Sequence, residues 1–523
     1  MPHPPTPEQA AIIHAAGHSA ASLMISAYAG TAKTTTIEML ASHLKTPSVL
    51  ALAFNVKIKQ ELEARLPKTF TIKTMNGLGH TAWAKATGKR LTLDVGKIGK
   101  LITATAKATG LTLEKDRWVA VKDLVEAART IGLVPSAFPH AKSYREDTAE
   151  AWLALAEEND ISATEALCTF SRSVLIESIK QSYTGLIDFS DQIYMSVCFG
   201  GVFPRFHTTI VDEAQDLSPM NHQMVRRATV SRLIICGDPK QSLYQFRGAA
   251  SDSMGKIRPL QAVWEDYSLT VTFRCPKVLV ARQHYHAPGF TAAEGNAEGR
   301  VVELPHGLAK VPDWAPDPDA SWSFSDLLRA INIPEGQRLL PDTLAILSRN
   351  NAPLITMAFK LIRRGQGIKM LGRDLGKGLL LTIRKSVPKA DTSIEETCSA
   401  LQAWFERESS ILQANKKESA VEKLSDRYES ICAVVDSVNL RTQGELCSTI
   451  ESLFSKDSGL ITLATAHRAK GLEWPHVLHL DPWRIPSRWA KSEEALLQET
   501  NARYVIETRA KETLILADLE TFK

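Results

Sequence analysis

Short apolar and β-branched runs recur along the chain, each followed by a turn and a helical stretch: LMIS (23–26), VLALAF (49–54), TTIV (208–211) and LIIC (233–236). That rhythm belongs to a parallel sheet with crossover helices. A second series follows, LTVTF (269–273), LAILS (344–348), LITLA (460–464), VLHL (477–480) and TLILA (513–517), so the chain reads as two α/β cores in tandem. A length of 523 residues agrees, being more than a single core usually supports.

Each core is interrupted. The pattern turns helical and polar from residue 82 to about 185 before the first strand series resumes, and again from about 385 to 455 in the second. The expected organisation is therefore 1–81 first core, 82–185 helical insertion, 186–267 first core resumed, 268–384 second core, 385–457 small insertion and 458–523 second core resumed. Residues 305–342, rich in Pro and Asp, read as a loop or linker.

The chemistry begins at AYAGTAKTTT (27–36), directly after the first apolar run. It follows the phosphate-loop spacing G-x-x-x-x-G-K-S/T, with Ala27 and Ala32 at the glycine positions and Lys33 and Thr34 in place. In such a loop, backbone N–H groups of Ala29, Gly30, Thr31, Ala32, Lys33, Thr34 and Thr35 face the phosphates, and the lysine adds charge at the β and γ oxygens. Were Ala32 left-handed, the cost would be of order 1–2 kcal/mol. The run HTTIVDEAQD (207–216) ends a strand in consecutive carboxylates, suiting Asp212, with Thr34, to a magnesium ion and Glu213 to the role of general base. An acidic helix start would give the same letters, but the lysine–threonine pair and the carboxylate pair both follow buried strands of one sheet. Gln241, in IICGDPKQSLYQFRGA (234–249), lies just past the next strand, within reach of a γ-phosphate or its attacking water.

DEAQD, GDPKQSLYQFRGA, TFRCP (272–276), TAHRAKGLEW (465–474) and YVIETRAKE (504–512), taken with the phosphate loop, resemble the motif series of superfamily 1 helicases of the UvrD/Rep type. The motifs keep the family's order over residues 9 to 511, and the compact size resembles phage and F-box helicase members. The resemblance implies two RecA-like cores of the P-loop NTPase class. It places Gln9 at the adenine edge, Phe273 stacked on the adenine, Arg274 and Arg509 toward the γ-phosphate, Glu473 near the ribose and Gly471 close to the nucleotide. For single-stranded DNA, aromatics beside amides and cations supply sequence-tolerant stacking. Phe54, Asn55, Thr74, Asn76, Tyr244, Phe246, Arg247 and His467 are the candidates. The T-x-H-x-x-K-G-L-E form resembles members that move 3'-to-5'.

The implied activity is an ATP- and Mg2+-dependent helicase on single-stranded DNA and duplex–single-strand junctions, expected as a monomer, with recombination or replication proteins as possible partners. The alternatives are an ATP-switched DNA-binding module, or a translocase that displaces proteins with little unwinding. Retention of Lys33, Thr34, Asp212, Glu213, Gln241, Arg274 and Arg509 favours turnover over a switch. A net charge of +4 identifies no nucleic-acid binder, and the cluster Lys85, Lys89, Arg90, Lys97 and Lys100 reads as a solvated face. Seven scattered cysteines without a C-x-x-C pair point away from a zinc site or disulfide framework. No apolar run suits a membrane span, and the N-terminal MPHPPTPEQ lacks signal-peptide character, so the expected setting is the cytoplasm.

Overall fold

The computed structural model describes residues 4–159, 161, 163–243, 252–304, 323–333, 340–414, 418–455 and 460–522. The chain divides into two units, 1–270 and 271–523.

Unit 1 holds a six-stranded sheet in the order Thr71–Thr74, Val49–Ala53, Phe206–Val211, Thr229–Gly237, Ser22–Ala27, Trp264–Leu269. Every pairing in it is parallel. Alternation along the strands explains why both faces are covered. Leu23, Ile25, Ile234 and Cys236 join Ile12, Ile37, Leu40 and Leu62 in one apolar cluster, whereas Met24, Leu50, Leu52, Leu233 and Ile235 join Leu78, Trp83, Met224 and Val225 in another. Between Thr71–Thr74 and Phe206–Val211 the chain is helical, with helices Met75–Thr87, Lys97–Ala108, Lys115–Ile131, Ala149–Glu158, Glu165–Thr184 and Phe189–Cys198. A two-residue parallel pairing of Thr92–Leu93 with Leu186–Ile187 ties the two ends of this excursion together.

Two sequence expectations change here. The run LTVTF is not one strand of the second core. Trp264–Leu269 completes the first sheet beside Ser22–Ala27, and Val271–Thr272 pairs separately with Thr291–Ala292. The break falls at Thr270, whose backbone N–H and hydroxyl both donate to the Glu8 carboxylate. Lys97, read as part of a solvated basic face, is instead fully buried against Asp191.

Unit 2 repeats the architecture. Its six parallel strands run in the order Arg300–Glu303, Ala510–Ala517, Trp474–Leu480, Leu344–Ser348, Ile461–Thr465, Ile368–Met370. Leu344, Ile346, Leu463, Leu478, Leu480 and Ile515 pack on one face against Leu354, Ile355 and Ala358 of helix Asn351–Arg363 and Ile450 and Leu453 of helix Gln443–Ser455. Helices Arg373–Ser386, Ile394–Ala414, Glu418–Ser437 and Gln443–Ser455 fill the interval before the strand Ile461–Thr465. The stretch read as a linker contains a short helix, Phe324–Ala330, which buries Phe324, Leu327 and Leu328 behind a Ser323/Asp326 capping box.

Candidate functional site

Three neighbouring strands of unit 1 end at the same edge of the sheet and deliver the candidate nucleotide residues. Ser22–Ala27 leads into the loop that starts helix Lys33–Ala41, Phe206–Val211 ends at Asp212, and Thr229–Gly237 ends at Asp238. This is the carboxyl end of a parallel sheet, where open α/β folds bind ligands.

The loop has the shape that its sequence predicts at a cost. Gly30 has φ +71°, and Ala32 sits in the left-handed region at φ 60°, ψ 43°. Thr31 is buried and its hydroxyl donates to the Tyr28 carbonyl at 2.9 Å, which tightens the turn. Among the described residues no side chain caps helix Lys33–Ala41, so its first turn keeps N–H groups of the kind that hold phosphate. Lys33, Thr34 and Thr35 are half-buried in that turn.

Lys33 Nζ lies 3.4 Å from Glu213 Oε1. Burial works against the Lys33 charge, but Glu213, Asp238 and Asp212 outweigh it and hold the ammonium above its ordinary pKa. Asp212 is fully buried, and burial together with the Glu213 charge pushes its carboxyl up to about 7. Burial likewise raises Asp238, with Lys33 opposing. Three carboxyl groups thus gather around one ammonium, and burial biases two of them, Asp212 and Asp238, toward the neutral form. Glu213 is itself left-handed, at φ 54°, ψ 40°. With Ala32 it makes two of the four non-glycine positive-φ residues among those described, a concentration typical of functional sites.

Two residues that received no role from the sequence hold this cluster together. Gln215 donates from Nε2 to Glu213 Oε2 at 2.5 Å and accepts the Asp238 backbone N–H on Oε1 at 3.0 Å. Asp238 in turn accepts from the Lys240 N–H at 3.0 Å and from Gln241 Nε2 at 2.6 Å. A carboxylate at the end of the strand in GDPKQ, matching Asp212 at the end of its neighbour, was the available signal.

Gln9 is buried, and its amide is engaged. Oε1 accepts the Thr6 N–H in the capping box of helix Pro7–His18, and Nε2 donates to Thr36 Oγ1 at 3.0 Å.

The strand candidates are divided among different settings. Phe54 is exposed at the end of Val49–Ala53. Asn55 and Thr74 are helix caps, accepting from the N–H groups of Ile58 and Gly77. Asn76 donates to the Phe189 carbonyl at 2.8 Å. Phe54, Asn76 and Phe189, the last about half exposed, line one cleft of ≈ 290 Å³ with Asp216, Ser218 and Asn221. Phe189 escaped the sequence reading because its exposure depends on where helix Phe189–Cys198 begins. Tyr244, Phe246 and Arg247 lie outside the described residues.

In unit 2, Arg274 Nε pairs with Glu473 Oε2 at 2.5 Å, and Lys511 joins the same carboxylate. Burial opposes Glu473 ionisation, but Arg274 and Lys511 hold its carboxyl below the usual range. Arg509 is buried, donating to the carbonyls of Val505 and Leu472 and to Thr508 Oγ1. Phe273 and His467 are half-buried, and Gly471 turns the chain at φ +80° ahead of strand Trp474–Leu480.

Family comparisons address the whole pattern. The UvrD/REP helicase N-terminal domain matches residues 6–259, and the UvrD-like helicase C-terminal domain matches residues 384–521. The chain belongs to the UvrD/Rep helicase family. It is 24% identical to F-box DNA helicase protein 1 of Schizosaccharomyces pombe, over 99% of this chain and 58% of that protein. It is 23% identical to F-box DNA helicase 1 of Gallus gallus, over 94% of this chain and 47% of that protein. A shorter match, 35% identical, covers 15% of this chain and 7% of the RecBCD enzyme subunit RecB of Mycolicibacterium smegmatis. The chain thus spans about half the length of the full-length relatives it matches. No helix among the described residues is long and apolar enough to cross a membrane.

Proposed function

We propose that this UvrD/Rep family chain is an ATP-driven motor that moves 3'-to-5' along single-stranded DNA and opens duplex at junctions. The observation that supports it most is the Lys33–Glu213–Asp212–Asp238 cluster on adjacent strand ends, cross-braced by Gln215 and Gln241. In this reading the loop from Ala29 to Thr35 cradles the phosphates and Lys33 neutralises them. Glu213, oriented by Gln215, takes the proton from the attacking water, and Gln241 reports phosphate state toward the adjoining segment.

A magnesium ion fits the donor set. Such ions in nucleotide sites need only one or two protein oxygens beside the phosphates, and Thr34 and buried Asp212 offer them. When bound, the ion neutralises charge on the transferring phosphoryl group. To unit 2 the proposal assigns Arg274 and Arg509 as phosphate-directed cations, with Phe273, Gly471 and Glu473 as nucleotide contacts; these roles rest on motif resemblance. The Phe54, Asn76 and Phe189 cleft is assigned to the strand. Monomeric action in the cytoplasm, with recombination or replication proteins as partners, completes the proposal.

The test is steady-state ATP hydrolysis with and without oligo(dT), beside Lys33→Ala. DNA stimulation lost in Lys33→Ala is the expected result. DNA binding without hydrolysis under either condition would replace the motor with a nucleotide-switched binding module.

A further inference from the structure

The half-exposed Phe189 stands at a thin place in unit 1. It and Ser190 form part of the wall between the ≈ 290 Å³ cleft shared with Phe54 and a second cleft of ≈ 430 Å³ on the side of the helical insertion. What fixes its backbone is the start of helix Phe189–Cys198. Asp188 accepts the Asp191 N–H at 2.9 Å, and Asp191 accepts the Asp188 N–H at 3.0 Å, a reciprocal cap that brackets Phe189.

Both capping carboxylates are gripped from the insertion. Arg129, on helix Lys115–Ile131, donates through Nη1 to both oxygens of Asp188 at 2.8 Å and to Asp191 Oδ1 at 3.1 Å. Lys97, the first residue of helix Lys97–Ala108, donates to Asp191 Oδ2 at 2.6 Å and to Ser178 and Ser182. The two cations are buried, and Arg129 Nη2 also meets Glu126, whose other oxygen accepts from Ser190. Two carboxylates that could anchor an insertion anywhere are therefore placed on either side of the one exposed aromatic of the turn.

We propose that Arg129 and Lys97 are positioning residues for Phe189: the helical insertion sets the aromatic wall of the strand cleft through the Asp188/Asp191 cap. The inference rests on the assignment of that cleft to single-stranded DNA. It makes the insertion a determinant of strand affinity.

The experiment is a double-mutant cycle on the full chain, read by fluorescence anisotropy of a labelled oligo(dT) of about 16 nucleotides. Wild type, Arg129→Met, Phe189→Ala and the double variant are titrated together. Either single change should weaken binding about tenfold, the scale of one lost base stack, and the double variant should be no weaker than Phe189→Ala alone. Arg129→Lys, which keeps the charge with fewer donors, should recover part of the loss. Losses that multiply in the double variant would overturn the positioning role while leaving the DNA reading intact. Failure of the wild type to bind would overturn both. Should Arg129→Met not fold, Glu126→Gln replaces it in the cycle, since that side chain is half exposed and touches both Arg129 and Ser190. Its weakening must likewise vanish in the Phe189→Ala background, and a persistent or absent effect refutes the proposal.

Discussion

Replacing Ala32 by glycine should make the protein more stable without changing its affinity for nucleotide. Ala32 is held at φ 60°, ψ 43°, where an L side chain sets its Cβ against the following carbonyl at a cost of about 1–2 kcal/mol. Glycine removes that cost but adds about 0.5–1 kcal/mol of chain entropy to the unfolded state. The net gain lies within about 0–1.5 kcal/mol, with a central value of about 0.7 kcal/mol. For unit 1, which runs to residue 270, that is a rise of about 1–3 °C in melting temperature. Because the strain belongs to the folded loop, it enters the unfolding free energy and cancels from binding, so KM for ATP should stay within about threefold, or less than ~0.7 kcal/mol. Calorimetry of the two proteins, with Gly30→Ala as a control of opposite sign at φ +71°, measures the first quantity, and ATPase kinetics the second. Unchanged melting accompanied by much tighter nucleotide binding would refute the reasoning. It would mean that the strained geometry is acquired on binding rather than carried by the fold.

Glu213→Gln should lower kcat by about 10²–10⁴ while a fluorescent nucleotide still binds, because the amide keeps the shape but accepts no proton. Normal turnover would remove Glu213 from the role of base. Asp238→Ala should cost about 1–3 kcal/mol in urea unfolding, since it removes the buried carboxylate that accepts from the Lys240 N–H and the Gln241 amide. Arg274→Ala should raise the Glu473 carboxyl pKa, followed by carbon-13 NMR, because one of the two cations holding it low is gone. The Arg274–Glu473 contribution to stability is present above the ordinary glutamate pKa and fades as pH falls through the depressed value, so the variant and the parent should converge in stability on acidification. Chelation by EDTA should stop hydrolysis, and magnesium should restore it, if Thr34 and Asp212 hold the ion as proposed.

Much of the candidate nucleotide cluster is legible in sequence because its residues follow single strands in the chain. Asp212 comes directly after an apolar run, and Lys33 and Gln241 come one short loop beyond theirs, so reading the strand locates the group. Gln215 carries no such mark, and Asp238, although it follows its own strand directly, is joined to it only because two strand ends lie side by side. Edge strands were hidden for a different reason. Thr71–Thr74, half-buried throughout, reads TIKT and lacks the apolar density of the central strands. Lys97 shows the limit of charge patterns, since a lysine in a basic run looks solvated until a carboxylate nearly a hundred residues later closes over it. Phe189 depended on the helix start set by Asp188, a cap that the letters DFSD permit without exposing which residue will face outward.

The place of Ser22–Ala27 in its sheet has a consequence for how the chain is made. Its two neighbours are Thr229–Gly237 and Trp264–Leu269, so neither partner exists while the ribosome is still within the first two hundred residues. At ordinary synthesis rates the phosphate-loop strand waits roughly 10–50 s for them. During that interval an apolar segment with open edges must be kept from other chains, by holdase chaperones or by transient cover from its own helices. Slowing translation between residues 50 and 230 should therefore lower the yield of soluble protein more than the same pause placed after residue 270, once the sheet of unit 1 can close.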